Sequence, residues 1–186
     1  RSFENKQIPK KILAKILVNT FRGPSAGFSQ GVEVLVLTNP DKKEKFYSQW
    51  GTKEERRKGY AKWPKLENAS VIIIICCHKN AYLNRYAEAD KGWSDKDEGR
   101  WSVPYWYVDA GMAALLGLLT VVDERLGAVF TGCRDLNYIR REFEIPDEYT
   151  PIGAILIGYP SDVDPPSPSL KRGRRNLKDV IHYESW

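Results

Sequence analysis

Apolar residues recur at helical spacing near the start of the chain, at Ile8, Ile12, Leu13, Ile16 and Leu17, which predicts a helix with one core-facing stripe. Pro9 suits a first helical turn and Gly23-Pro24 ends the pattern, so this helix covers about residues 9–21. Val32, Val34 and Val36, with Leu35 and Leu37, form a β-rich run between Gly31 and Asn39-Pro40. A short charged helix from Asp41 to about Gln49 follows, and then a polar, basic stretch, Gly51–Trp63. Val71–Cys77 is an unbroken apolar run of the kind buried on both faces of a sheet. Asp109–Arg125 is helical, with apolar residues around almost its whole circumference. Such a helix belongs at the centre of a fold or under a second subunit. A strand Ala128–Phe130, a charged helix Arg134–Phe143 and a strand Ile152–Ile157 complete the order, and a proline-rich bridge, Asp164–Ser169, leads into a basic tail.

The segment 79–107 stands apart. It is dense in charge and carries Tyr82, Tyr86, Trp93, Trp101, Tyr105, Trp106 and Tyr107. It reads either as a lid-like insertion walling a substrate site or as a packed excursion whose aromatics fill core.

Composition narrows the class. With 186 residues, 42% of them hydrophobic and 28% charged, the chain is neither disordered nor collagen-like, and a single domain over residues 1–186 is expected, with 164–186 as a C-terminal arm. The longest apolar runs, Val71–Cys77 and Ala113–Val122, fall short of the ~18–20 residues of a membrane span, so no membrane association is predicted. No signal-peptide pattern opens the chain, and the vicinal Cys76 and Cys77 sit inside a strand-like run, which favours a reducing cytoplasm. Lys and Arg exceed Asp and Glu by 29 to 24, a net +5 compatible with an anionic cofactor, nucleic acid or plain solubility. Arg56, Arg57 and Lys58 read as a solvated basic face.

No metal site is expected, because His78 and His182 are far apart and the three cysteines lack paired ligand spacing. Phosphate-binding P-loop, dinucleotide fingerprint and nucleophile-elbow motifs are absent. Cys133 has no neighbouring histidine and reads as a small buried residue. The string Arg22-Gly-Pro-Ser-Ala-Gly-Phe-Ser-Gln30 is more informative: its glycines permit close backbone approach to a flat ligand, and its hydroxyls and amides match a polar ring edge.

That string, fifteen residues after Pro9 when counted from proline to proline, together with Arg1-Ser-Phe3 and Ile8-Pro9, resembles the FMN-dependent nitroreductase family. The likeness extends through Lys65-Leu-Glu-Asn-Ala69 before a strand, the apolar helix closing on Arg-Leu-Gly127, Phe130-Thr-Gly132, Ile157-Gly-Tyr-Pro160 and Arg172-Gly-Arg174. It implies an α+β fold: a three-layer sandwich around an antiparallel-rich mixed sheet, in an intertwined homodimer with FMN at the subunit interface. It also implies an NAD(P)H-dependent flavin oxidoreductase. A reduced nicotinamide would pass hydride to flavin N5 and leave, and a small organic acceptor such as a nitroaromatic or quinone would then be reduced.

Residue by residue, the resemblance puts Arg1 near the flavin phosphate or ribityl chain, with the family's preceding Arg-Arg-Ser element ahead of it. Pro24, Ser25, Ala26 and Gly27 match the loop that reaches the isoalloxazine from the partner subunit. Lys65 matches the lysine aimed at the N1/O2 edge, Thr131 and Gly132 the turn facing N5/O4, and Arg172 and Arg174 the pair that grips phosphate. Phe28 stands where most members have Asn, and Gly31-Val32 replaces a usual Pro-Trp. Phe28, Trp93, Trp101 and Trp106 are the expected substrate-side residues. The flavin would perform the chemistry, so no catalytic acid or base is assigned. Two alternatives stay open. The Pro-Ser-Ala-Gly-Phe-x-Gln string is similar to a branch that fragments reduced flavin to dimethylbenzimidazole, and the basic charge with interleaved aromatics would suit a non-enzymatic flavin or nucleic-acid binding module, the less favoured of the two.

Overall fold

A computed structural model describes residues 1–186. Its elements are α1 (Lys10–Thr20), β1 (Val32–Leu37), α2 (Pro40–Tyr47), α3 (Lys53–Gly59), β2 (Val71–His78), α4 (Lys79–Tyr86), α5 (Tyr105–Asp123), β3 (Gly127–Thr131), α6 (Leu136–Phe143) and β4 (Tyr149–Gly158).

The four strands make one sheet in the order β1-β2-β4-β3, and every neighbouring pair is antiparallel. β2 and β3 point the same way, as expected for strands joined through a helix, but β4 inserts between them and opposes both. The mixed sheet that the resemblance implies is therefore not formed within one chain, which contains no parallel neighbours.

Alternation along the strands divides the core into two. Ile73, Ile75, Cys77, Ile155 and Ile157 pack with Ile8 and Ile16 and with Ala110, Ala114 and Val121 of α5. Ile72, Ile74, Cys76, Ala154 and Leu156 face the other way, toward Phe3, Phe46 and Tyr47 of α2, and Ile139 of α6. Ile12, Leu13 and Leu17 complete the α1 stripe against the first cluster.

The apolar helix starts four residues earlier than its sequence suggests. Pro104, not Asp109, stands at its N-terminus, so Asp109 lies inside the helix. At 19 residues, α5 is long and apolar enough by composition to cross a bilayer, yet its Asp109, Ala110, Ala113, Ala114, Gly117 and Val121 face is buried in the protein. The opposite face is not covered by this chain. Met112, Leu115, Leu119 and Val122 follow steps of three and four and are 39%, 55%, 56% and 67% exposed.

The polar stretch Gly51–Trp63 holds structure that its composition concealed. Thr52 and Glu55 form a capping box that starts α3: Thr52 N donates to Glu55 Oε2 at 2.8 Å, and Glu55 N donates to Thr52 Oγ1 at 3.3 Å. Arg56, expected on a solvated face, is instead buried. Its guanidinium donates to Glu67 at 2.6 Å, Glu44 at 2.7 Å and the Gly51 carbonyl at 2.8 Å. Three acceptors around one planar fork compensate the loss of water that an unpaired buried charge could not bear.

Candidate functional site

The glycine-bearing loop between α1 and β1 is held in an unusual conformation. Gly27, Phe28 and Gln30 have φ of 60°, 56° and 53°, two of them residues with side chains. Such backbone costs of order 1–3 kcal/mol per residue and persists only where surroundings over-determine it. Here they do. Phe28 N donates to the Ser25 carbonyl at 2.8 Å, Gln30 N to Ser25 Oγ at 2.8 Å, and Ser29 Oγ to the Ala26 carbonyl at 2.6 Å.

Two helices anchor the loop from behind. From α4, Arg85 Nε donates to the Gly27 carbonyl at 3.0 Å. From α5, Asp109 Oδ2 accepts from Ala26 N and from the Tyr82 hydroxyl, both at 2.8 Å. Burial, and next the bond to Asp109, push the Tyr82 phenol well above its ordinary pKa, so it remains a donor. A Cβ on Gly27 would lie 2.5 Å from the Tyr86 ring, and one on Gly31 would lie 2.4 Å from the Tyr82 ring. The α4 tyrosines thus account for both glycines, Tyr86 for Gly27 and Tyr82, with the His78 carbonyl 2.8 Å away, for Gly31.

In front of the loop is a cavity of about 330 Å³, walled by Phe21, Pro24, Phe28, Val32 and Ala113, with Ser25, Gln30 and Asp109 supplying polar atoms. Phe28 is 74% exposed at its rim. The tryptophans expected on the substrate side pack among themselves and the tyrosines of α4. Trp101 packs on Tyr86 (centroids 4.4 Å apart), Trp93 (5.5 Å) and Trp106 (5.9 Å), and Trp106 in turn on Tyr82. None of the three lines the cavity. Large aromatic rings there bury area behind α4, and they support the tyrosines that position the loop.

A second cluster lies at the other end of the sheet. Phe3 bridges to Pro160, and Ser161 N donates to the Ser2 carbonyl. Lys65 Nζ donates to Ser161 Oγ at 3.0 Å and lies 3.5 Å from an Asp162 oxygen. The Arg1 guanidinium sits 5.2 Å above the Trp63 ring, and its α-amino group pairs with Asp164 at 2.8 Å. Ser2, 2% exposed, keeps a hydroxyl with no partner in the chain, an unsatisfied buried polar atom beside this basic cluster.

Register separates these groups. The loop leads into Val32, opposite Cys77, whereas Lys65 precedes Val71, opposite Ile157. Six residue steps along β2, roughly 20 Å, separate them. Thr131, on β3 at the edge of the sheet remote from β1, pairs with Ala154 of β4, and Gly132 beyond it has open space at its Cα. β1 and β3 are three strand spacings apart, roughly 14 Å. One chain therefore joins Arg1 with Lys65 but brings neither to Pro24–Gly27. Arg172 and Arg174 lie on the exposed arm, which is tied to the body through the Pro165 carbonyl and the Trp63 indole N–H at 2.9 Å.

The thiols are unsuited to nucleophilic work. Burial raises Cys76 to about 12 and Cys77 and Cys133 to about 11. Asp109, Tyr82, Arg85 and Ser2 were not singled out as site residues by pattern. The available signal was Asp109 itself, a lone acid in an apolar helix, which reads as a helix boundary until the true start is known.

Comparison with known proteins bears on the family and the fold. The family model described as "Nitroreductase family" matches residues 1–159. A Methanothermobacter thermautotrophicus protein with the provisional name NADH dehydrogenase/NAD(P)H nitroreductase is 28% identical over the whole of this chain and 82% of its own length. The FMN reductase [NAD(P)H] of Bacillus subtilis is 24% identical over the whole chain and 70% of its length. A crystal structure of a nitroreductase family protein from Clostridium difficile has the same fold, with a TM-score of 0.70 at 20% identity, covering 100% of this chain and 92% of that one.

Proposed function

The chain belongs to the nitroreductase family, and on that premise we propose that it is an FMN-dependent oxidoreductase carrying electrons from NADH or NADPH to a small organic acceptor, with each site built from two copies of the chain. The observation that carries this reading is the separation of the two clusters. Pro24–Gly27 and the Arg1–Lys65 cluster are too far apart for one chain to apply both to one ring system. A second copy seated on the exposed stripe of α5 would bring one chain's loop toward the other chain's basic cluster. The exposed arm, with Arg172 and Arg174, would cross the same interface.

The residues present suit FMN. Arg1 and Lys65 are cationic donors at one end of the sheet, matched to an anionic, oxygen-rich ligand, and the Ser2 hydroxyl beside them is left without a partner in the chain. Gly132, open at its Cα, leaves room for a flat ring beside the Thr131 backbone. When bound, FMN supplies the hydride and electron chemistry between the nicotinamide and the acceptor. The chain's part would be to hold and bias it: Lys65 would place positive charge beside the ring edge where negative charge accumulates on reduction, and the strained loop would offer a preset backbone against the ring.

The test is a visible absorption spectrum after loading with FMN and removing the excess, followed by anaerobic addition of NADH or NADPH. A retained flavin band that bleaches with either nucleotide is expected. Failure to retain flavin, or a retained band untouched by both nucleotides, would refute the assignment.

A further inference from the structure

Asp109 is 4% exposed, and both groups that hydrogen-bond to it are neutral, with no cation among its partners. Both donors that reach it, Ala26 N and the Tyr82 hydroxyl, go to the same oxygen, Oδ2. Oδ1 has no partner in the chain, yet it is not among the sealed polar atoms, which are Ser2 Oγ and Trp101 Nε1. Since Asp109 lines the 330 Å³ cavity, that remaining surface opens into it. A buried carboxylate with one oxygen satisfied and no counter-charge is an acceptor awaiting a donor.

We propose that this cavity selects planar aromatic ligands bearing an N–H donor, such as a ring carboxamide, with Asp109 Oδ1 accepting that hydrogen bond and excluding carboxylate-bearing analogues. The apolar walls, Phe21, Phe28, Val32 and Ala113, take the ring, and Asp109 takes its substituent. Ala113 follows Asp109 by one helical turn on the same face of α5, so wall and acceptor are rigidly related. The inference deepens the functional reading above, because both the carboxamide of a reduced nicotinamide and an amide-substituted acceptor carry this chemistry.

Isothermal titration of the FMN-loaded protein with benzamide and with benzoate tests the cavity directly, and the same titration on FMN-free protein reads it even if flavin is not retained. A hydrogen bond to a charged group, plus repulsion of the anion, gives an expected preference for benzamide of about tenfold or more. Asp109→Asn keeps an oxygen for Ala26 N and Tyr82 and turns an amide N–H₂ into the cavity, so the preference should invert toward benzoate. If that variant does not fold, Ala113→Val, which narrows the cavity, should weaken benzamide binding several-fold. Equal wild-type affinities, or an unchanged ratio in Asp109→Asn, or unchanged benzamide binding in Ala113→Val, would overturn the proposal. Steady-state kinetics then distinguish the source. A KM penalty for the reduced 3-acetylpyridine analogue of NADH, which lacks the N–H₂, that disappears in Asp109→Asn identifies the electron donor. The same behaviour in 4-nitrobenzamide against 4-nitrobenzoate identifies the acceptor, and no Asp109-dependent discrimination in either pair would also overturn the assignment.

Discussion

Leu119→Glu should separate the two halves of the site without unfolding the chain. Leu119 is 56% exposed on the stripe that α5 leaves uncovered, so the single chain loses little packing when it is replaced. In a two-fold dimer the change enters the interface twice. Burying the exposed half of a leucine removes roughly 100 Å² from water, about 2.5 kcal/mol per copy at ~25 cal/mol/Å² and about 5 kcal/mol per dimer. Desolvating two carboxylates adds to that, so dimer affinity should fall by more than about a thousandfold. Sedimentation equilibrium across a concentration series measures the dissociation constant, and absorbance of retained FMN in the same samples measures the site. Expected is a folded monomer, with unchanged circular dichroism, that has lost flavin in step with dissociation. A monomer that keeps flavin at wild-type affinity would refute the two-chain site, and an unaltered dimer would refute the use of this face.

Three further outcomes follow from local geometry. Arg56→Leu strands Glu44 and Glu67 beside a buried apolar side chain, and because both carboxylates are about a third exposed the loss should be nearer 2 kcal/mol than the ~3–5 kcal/mol of a fully buried pair, read as a fall in urea midpoint at constant m-value. Gly27→Ala puts a methyl group 2.5 Å from the Tyr86 ring at a φ of 60°; flavin retention should drop with a Tm loss of several degrees, and pairing it with Tyr86→Ala should recover part of both. The buried thiols make stability fall in alkali. Their unfolded-state value is 9.0 and their folded values are about 11 to 12, so the contribution is whole below pH 9, where neither state has released the proton. It is lost as pH rises toward the folded values, at up to about 1.4 kcal/mol per pH unit per thiol, and urea titrations at pH 8 and pH 10 check the sign.

How much of this was legible in the residue order depends on how local the cause is. The α1 stripe, the β-rich run ending before Asn39-Pro40 and the apolar β2 are set by spacing over a few residues, and α1, β1 and β2 lie within a residue or so of where the pattern puts them. α3 and α4 were hidden because their stabilisation is polar: a Thr52–Glu55 capping box in one, and in the other Tyr82 and Arg85 anchoring a loop distant in sequence. The burial of Arg56 is the same case. Its partners are eleven and twelve residues away, and nothing in an Arg-Arg-Lys run reveals them.

The sequence by itself determined the family, through an ordered set of motifs, and with it the loop Pro24–Gly27 as a candidate site. It also carried a helix too apolar to stand alone in water, since hydrophobic spacing is a property of the chain. Only the tertiary structure decided which atoms meet. It brought Lys65 to Ser161 across 96 residues and Ala26 to Asp109 across 83, it turned the tryptophans of segment 79–107 into a buttress behind the loop, and it left one carboxylate oxygen of Asp109 without a donor. Those outcomes depend on strand register and on which face each helix presents to the sheet, and both are settled by packing between segments remote in the chain.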